Sequence, residues 1–131
     1  MGTVQVAYDR ERQLTLFRVN GEFSADDAMA VIEAYYAGEV TRLVLIDFSG
    51  ADLSGITSDQ LKKIAKMTSA RALARKGGKT AYVLCGDLHF GLGRMAEALY
   101  DIENVPFEMR VFRQLKKAVA WLGFEDPKLF E

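Results

Sequence analysis

His89 is the single histidine of this 131-residue sequence and the only imidazole available for acid–base or metal chemistry. A Ser/His/Asp triad needs an oriented base beside a nucleophile, and a zinc site needs several nitrogen or sulfur ligands. No convergent set of such residues accompanies His89 in the sequence. We therefore expect no catalytic residues, no metal site and no enzymatic activity, and an enzyme with a site near His89 ranks last among the functions considered below.

Cys85 is the single cysteine, so no disulfide can form within the chain. It ends the apolar segment 81–85, and no neighbouring residue in the sequence would lower the pKa of its thiol, which predicts an inert core thiol. One cysteine and an N-terminus without a basic stretch before an apolar block favour a cytoplasmic protein.

The segment Gly91-Leu92-Gly93-Arg94-Met95-Ala96 matches the spacing of the dinucleotide-binding fingerprint. A functional fingerprint follows the first strand of a βαβ unit directly and has an acidic residue about 20 positions later. Here five residues separate Cys85 from Gly91, and the position where the acidic residue should lie falls near Arg113, which is basic. We expect no nucleotide and no other cofactor.

The basic face 62–76 is the one charge asymmetry of the chain, since no acidic residue lies between Asp59 and Asp87. It is either a solvated helix face with cations near the helix C-terminus or a surface for an acidic partner or anionic lipid. The net charge of −1 and the lack of interleaved aromatic residues disfavour nucleic acid. The face comprises Lys62, Lys63, Lys66, Arg71, Arg75 and Lys76.

The length and composition predict one globular domain over residues 1–131, and no run of 18 apolar residues could cross a membrane. Alternating apolar residues predict a hairpin from strands 3–8 and 14–19, and apolar runs predict strands at 43–46, 81–85 and 107–112. Helices are predicted after Ser24, ending near Gly38; after Thr57 or Ser58, ending at Gly77; around residues 92–99; and around 115–122. The order ββαβαβαβα predicts an α/β fold with a mixed, mostly parallel five-stranded sheet and about four helices.

The loops 49–55 and 86–91 follow the two central strands and form the predicted binding site. Parallel sheets bind ligands beyond the carboxyl ends of their strands, where these loops should meet. Glycines, hydroxyls and helix N-termini suit an anion, whereas the apolar side chains suit an apolar ligand or a protein. The alternative is that these are ordinary loops without a binding role, and that Leu53 and Phe90 pack in the core. The candidate binding residues are Ser49, Asp52, Leu53, Ser54, Asp87, Leu88, His89 and Phe90.

Residues 43–51 resemble the strand and loop that open the STAS signature, and 111–122 are similar to the ending of the SpoIIAA-like, or STAS/SEC14-like, branch. Residues 91–95 also resemble the start of that branch's third helix. The resemblance implies a STAS-like fold and a non-catalytic regulatory or ligand-binding module. The best-known relatives are partner-switching antagonists of anti-sigma factors.

The sequence departs from that family where phosphorylated antagonists carry an Asp-Ser-Ser-Gly-like stretch. Aligning from Asp47 places Gly55-Ile56-Thr57-Ser58 there, without an aspartate–serine pair. Thr57 and Ser58 keep hydroxyl groups near this position. They are helix-capping residues or, alternatively, phospho-acceptors.

Three functions remain. The first is a regulatory module that binds a protein partner, the second a SEC14-like carrier or sensor of a small apolar or lipid-like ligand, and the third an enzyme. A flat exposed apolar patch near Leu53 and Phe90 would favour the first, a closed apolar cavity the second, and polar groups around His89 the third. A homodimer is also possible, with Trp121 either packed on Phe112 at the core margin or placed in a subunit interface.

Overall fold

The computed structural model describes residues 2–125, and its order of elements confirms the predicted ββαβαβαβα arrangement. None of the helices within this range combines the length and the hydrophobicity of a membrane-spanning segment. The strands are β1 (Thr3–Asp9), β2 (Leu14–Glu22), β3 (Leu43–Asp52), β4 (Lys79–Val83) and β5 (Glu108–Phe112). The helices are α1 (Ala25–Ala37), α2 (Ser58–Arg71), a 3₁₀ turn (Ala72–Arg75), α3 (Asp87–Ile102) and α4 (Leu115–Leu122).

The five strands lie in the spatial order β1-β2-β3-β4-β5. β1 and β2 are antiparallel, and the other neighbouring pairs are parallel. This confirms the mixed, mostly parallel sheet. β1 and β5 are therefore the two edges, and the carboxyl ends of β3 and β4 lie side by side.

Helix α4 covers one face of the sheet. Ala118, Val119 and Leu122 are buried there against leucine, alanine and valine side chains of β2, β3 and β4. Trp121 lies at the margin, with its ring centroid 5.7 Å from that of Phe112, as predicted. The Lys79 ammonium lies 4.9 Å from the same indole ring and completes its packing.

Helices α1, α2 and α3 cover the other face and bury the larger apolar cluster. Two capping boxes fix where α1 and α2 begin. At the start of α1 the Ser24 side chain accepts a hydrogen bond from the Asp27 amide, and the Asp27 side chain accepts one from the Ser24 amide. At the start of α2, Thr57 and Gln60 form the same reciprocal pair of hydrogen bonds. Both predicted starts are confirmed.

Strand β3 runs six residues beyond the predicted strand, to Asp52, so the prediction that 49–52 is loop was wrong. A bulge opposite Val19 shifts the register, because Arg18 pairs with Asp47 but Asn20 pairs with Gly50. A Cβ atom at Gly50 would meet the end of the Asn20 side chain, which would have to rotate away.

Helix α3 begins at Asp87, five residues before the predicted start at residue 92, so residues 87–90 form its first turn and not a loop. Gly86, with φ of 81°, makes the turn, and Asp87 carries the negative charge that a helix N-terminus favours. Gly93 lies inside the helix, where a Cβ would clash with Leu84 and Val111. The absence of a side chain at Gly93 therefore allows the helix to pack closely on the sheet.

The prediction for Cys85 was wrong, because β4 ends at Val83 and the Cys85 side chain is exposed. Leu84 takes the last buried position, and its amide donates to the carbonyl of Phe112. The apolar run therefore continues past the strand.

Arg75 does not belong to the exposed basic face, because it is only 3% exposed. The α-helix ends at Arg71, and the 3₁₀ turn directs Arg75 inward. Its guanidinium donates to the carbonyls of Thr41 (3.1 Å), Arg42 (3.0 Å) and Lys79 (2.9 Å), and to the Thr80 hydroxyl (2.6 Å). Within residues 2–125 it forms no ion pair, so carbonyl oxygens and aromatic rings solvate the buried charge.

We predict that Arg75→Met lowers the free energy of unfolding by about 2–4 kcal/mol, because four oxygen atoms each lose a hydrogen bond to a buried cation. The carbonyls of Thr41 and Arg42 keep second donors in the Tyr35 hydroxyl and the Lys79 amide, so the loss is greatest at the Thr80 hydroxyl and the Lys79 carbonyl. Arg71→Met is the control: Arg71 is partly exposed, and its change should cost less than about 0.5 kcal/mol. Urea unfolding followed by the fluorescence of Trp121 measures both. Equal losses in the two variants would contradict a special role for Arg75.

Candidate functional site

The loop after β3 and the first turn of α3 are joined by a hydrogen bond. The amide of Leu53 donates to Nε2 of His89 over 3.2 Å. The two segments beyond the carboxyl ends of β3 and β4 therefore lie against each other. We call the exposed residues here, Asp52, Ser54, Ser58, Asp59, Asp87 and Leu88, the strand-end surface.

His89 acts as an acceptor at Nε2, which places the proton of a neutral ring on Nδ1. Its side chain is 20% exposed, and Nε2 also lies 3.8 Å from Oδ1 of Asp52. The lone pair that a general base would use is already held by a backbone amide. We call this hydrogen bond, which links the loop after β3 to α3, the His89 clamp.

Asp52 and Ser54 form a tight turn that leads towards α2. The Ser54 hydroxyl donates to Oδ1 of Asp52 over 2.6 Å, and the Ser54 amide donates to the same oxygen over 3.0 Å. These two bonds lower the pKa of the Asp52 carboxyl below its usual value. Asp52 is therefore a carboxylate at neutral pH.

Leu53 and Phe90 are not exposed binding side chains. Leu53 is 4% exposed and belongs to the core between the sheet and the helices. Phe90 is half-buried beneath the guanidinium of Arg113, whose carbon lies 4.1 Å from the ring centroid. The alternative prediction, that both contribute to the core, describes them better.

Leu88, in contrast, is 73% exposed on the first turn of α3. Its neighbour Asp87 forms an ion pair of 2.9 Å with Arg113. The binding site predicted from the sequence did not include Arg113. Arg113 directly follows β5, so it lies at the carboxyl ends of the parallel strands, as Asp87 does. Arg113 both covers Phe90 and partly neutralises Asp87.

Ser49 takes part in a different set of contacts. Its hydroxyl and amide both donate to Oδ1 of Asp47, over 2.6 and 3.0 Å. The Asp47 carboxylate is almost fully buried and lies 3.6 Å from Nε of Arg18. The hydrogen bonds of Ser49 therefore support β3 at its bulge and do not involve His89.

A small apolar cavity of about 60 Å³ lies beneath the strand-end surface. Ligand pockets usually enclose about 300–1,000 Å³. A lipid-sized molecule would fit only if α2 or α3 moved away from the sheet. The lining includes Phe23, Phe48, Leu53, Ile56, Leu84 and Leu92.

Thr57 and Ser58 differ in what their hydroxyl groups do. The Thr57 hydroxyl accepts from the Gln60 amide over 3.2 Å as the cap of α2. Ser58 is exposed at the first residue of that helix. Both residues are exposed, and of the two hydroxyl groups only that of Thr57 is engaged in a hydrogen bond among the described residues.

The basic face keeps five exposed cations once Arg75 is removed from it. Two of them have acidic neighbours, Lys62 with Asp59 at 3.9 Å and Arg71 with Glu33 at 3.6 Å. Leu73, 78% exposed, is its apolar member. Within the described part of the chain, no three His, Cys, Asp or Glu side chains are grouped closely enough to hold a metal ion.

The sequence matches no protein-family model and has no significant match among curated protein sequences. Solved structures do resemble it. A DUF3478-family protein with a SpoIIAA-like fold from Shewanella loihica aligns with a TM-score of 0.57 and 19% identity over 92% of this chain and 93% of that one. An anti-sigma factor antagonist from Mycobacterium paratuberculosis aligns with a TM-score of 0.59 and 18% identity over 93% and 94% of the two chains. The protein therefore has a SpoIIAA-like fold.

We predict that His89→Ala lowers the free energy of unfolding by about 1 kcal/mol, because the Leu53 amide loses its acceptor in a partly buried place. Hydrogen exchange of the Leu53 amide, followed by NMR, should become faster in this variant. The amide of Leu45, in the buried centre of β3, exchanges through global unfolding and is the internal control; its rate should rise about fivefold, as a loss of about 1 kcal/mol requires. The rate at Leu53 should rise by a larger factor, and a rise no larger than that at Leu45 would contradict the His89 clamp.

Proposed function

We propose that this protein is a non-catalytic regulatory module that acts in the cytoplasm and binds a protein partner through the strand-end surface. The exposure of Leu88 carries this proposal. A leucine that is 73% exposed, on a helix turn fixed to the neighbouring segment, offers apolar surface that a partner would remove from water. The fold shared with an anti-sigma factor antagonist supports a regulatory role by analogy only.

The charge around Leu88 indicates what kind of partner would fit. The side chains of Asp52, Asp59 and Asp87 are 55%, 89% and 96% exposed. Arg113 and Lys62 compensate two of these carboxylates only in part, because both pairs are open to solvent. We therefore expect a partner with basic residues around an apolar pocket, and association that slows as salt is added.

The alternative of a SEC14-like carrier of an apolar ligand has weaker support. The cavity under the surface is about 60 Å³, which is several times smaller than usual ligand pockets. An enzyme near His89 is supported still less, because Nε2 of that residue accepts a hydrogen bond from the backbone.

Ser58 is our proposed phospho-acceptor, in preference to Thr57. A phosphate at the first residue of α2 would lie at the positive end of the helix dipole and would not disturb the Thr57 cap. It would also add negative charge to the strand-end surface. Modification would in this way change the affinity for a basic partner.

We predict that Leu88→Asp abolishes partner capture, because it places a charge where the apolar anchor should be buried. Leu73→Asp is the matched control, since Leu73 is similarly exposed but lies on the basic face. Affinity purification from the protein's own cells, quantified by mass spectrometry, compares both variants with the unmodified protein. A partner retained by Leu88→Asp and lost by Leu73→Asp would move the site to the basic face.

We also predict that protein isolated from its own cells carries one phosphate, visible in its intact mass, and that Ser58→Ala removes it. Thr57→Ser is the control, because serine can also cap α2 and leaves Ser58 in place. Phosphate that persists in Ser58→Ala would assign the modification to another residue.

A further inference from the structure

The two edges of the sheet differ in their protection against pairing with another strand. β5 has five residues, two of them charged (Glu108 and Arg110), and follows Pro106 closely. Charges, proline and short length are the usual means of keeping an edge strand unpaired. β1 has seven residues, and Asp9 at its end is the only charged one. The β1 edge therefore lacks the protection that the β5 edge has.

One face of β1 is also apolar and exposed. Val4, Val6 and Tyr8 are 37%, 46% and 50% exposed, and their register with Val19, Phe17 and Thr15 places them on the side of the sheet that α1 covers. Between these side chains and α1 lies an open groove of about 310 Å³. Its α1 side is formed by Ala30, Val31, Ala34 and Tyr35. The two alanines are exposed, Val31 is partly buried and Tyr35 is buried. A row of apolar side chains beside an unpaired strand edge is a typical protein-binding surface.

We propose that this edge binds a second copy of the chain by antiparallel pairing of β1 with β1, centred on Val6. In this register Val4 lies opposite Tyr8 of the second copy and Thr3 lies opposite Asp9. The sequence of β1 therefore complements itself, since apolar residues meet apolar residues and no two like charges face each other. The result is a continuous ten-stranded sheet with the apolar rows of both copies on one side.

The pairing satisfies two needs of the surface at once. It provides partners for the outward-facing backbone groups of β1, and it covers the apolar row with the same row of the second copy. The twofold axis stands perpendicular to the sheet, so corresponding strands of the two copies run in opposite directions. Their strand-end surfaces therefore point to opposite ends of the dimer and stay free. The inference does not depend on the proposed function.

Sedimentation velocity of the full chain from about 1 to 200 μM tests the proposal, and we expect a reversible dimer in this range. Val6→Lys should raise the dissociation constant at least about tenfold, because it places two ammonium groups against each other at the centre of the pairing. Gln5→Lys is the matched control on the polar face of the same strand, and it should change the constant less than about twofold. Val6→Thr keeps the β-branched shape and weakens the dimer in the same direction if Val6→Lys fails to fold.

Disulfide formation tests the register. In a Cys85→Ser background, Val6→Cys should form a disulfide-linked dimer on oxidation, because Val6 lies opposite itself. Val4→Cys should not, since the two Val4 positions lie about 13 Å apart along the strands, too far for a disulfide. A monomer at all concentrations, a dimer that tolerates both Val6 variants, or cross-linking through Val4→Cys but not Val6→Cys would each overturn the proposal.

Discussion

The buried guanidinium of Arg75 is the interaction on which the rest of the structure depends. It binds the carbonyls just before β3 and the first residues of β4, and so holds the amino ends of the two central strands together. Its flat faces contact the rings of Tyr35 from α1 and Phe107 beside β5. A single cation therefore connects two strands, one helix and the approach to a third strand. Such a charge is stable in the interior only while all these acceptors stay in place.

The carboxyl ends of the same strands are held differently. There His89 accepts a hydrogen bond from the Leu53 amide, and Arg113 covers Phe90. These contacts fix the strand-end surface to the sheet and leave Leu88 and nearby carboxylates in solvent. A fixed surface of this kind loses little conformational entropy when a partner binds. The cavity below it has a volume of about 60 Å³, which is smaller than the pockets that usually enclose a ligand.

The proposed dimer would use a third region, the β1 edge, which is separated from the strand-end surface by β2. Two copies would then present two strand-end surfaces on opposite sides of one assembly. If both were occupied by linked partner sites, binding would gain from effective concentration without any new contact. The exposed apolar row of β1 and the exposed Leu88 would thus have separate roles.

The fold order, the two helix N-caps and the first residues of β3 could be predicted from the sequence, because they depend on periodicity and on short-range hydrogen bonds, although the sequence leaves the cap of α2 open between Thr57 and Ser58. Ser24 and Thr57 each lie three residues from the partner that completes the cap. The sequence also determined that His89 is the one imidazole and Cys85 the one thiol.

Tertiary structure alone decided where several side chains lie. Arg75 belongs to a basic run in sequence, yet its 3₁₀ turn buries it against residues more than 30 positions away. Leu53 and Leu88 are both leucines in predicted loops, but a bulge in β3 and an early start of α3 bury one and expose the other. Burial of this kind depends on long-range packing, which local patterns of residue type do not record.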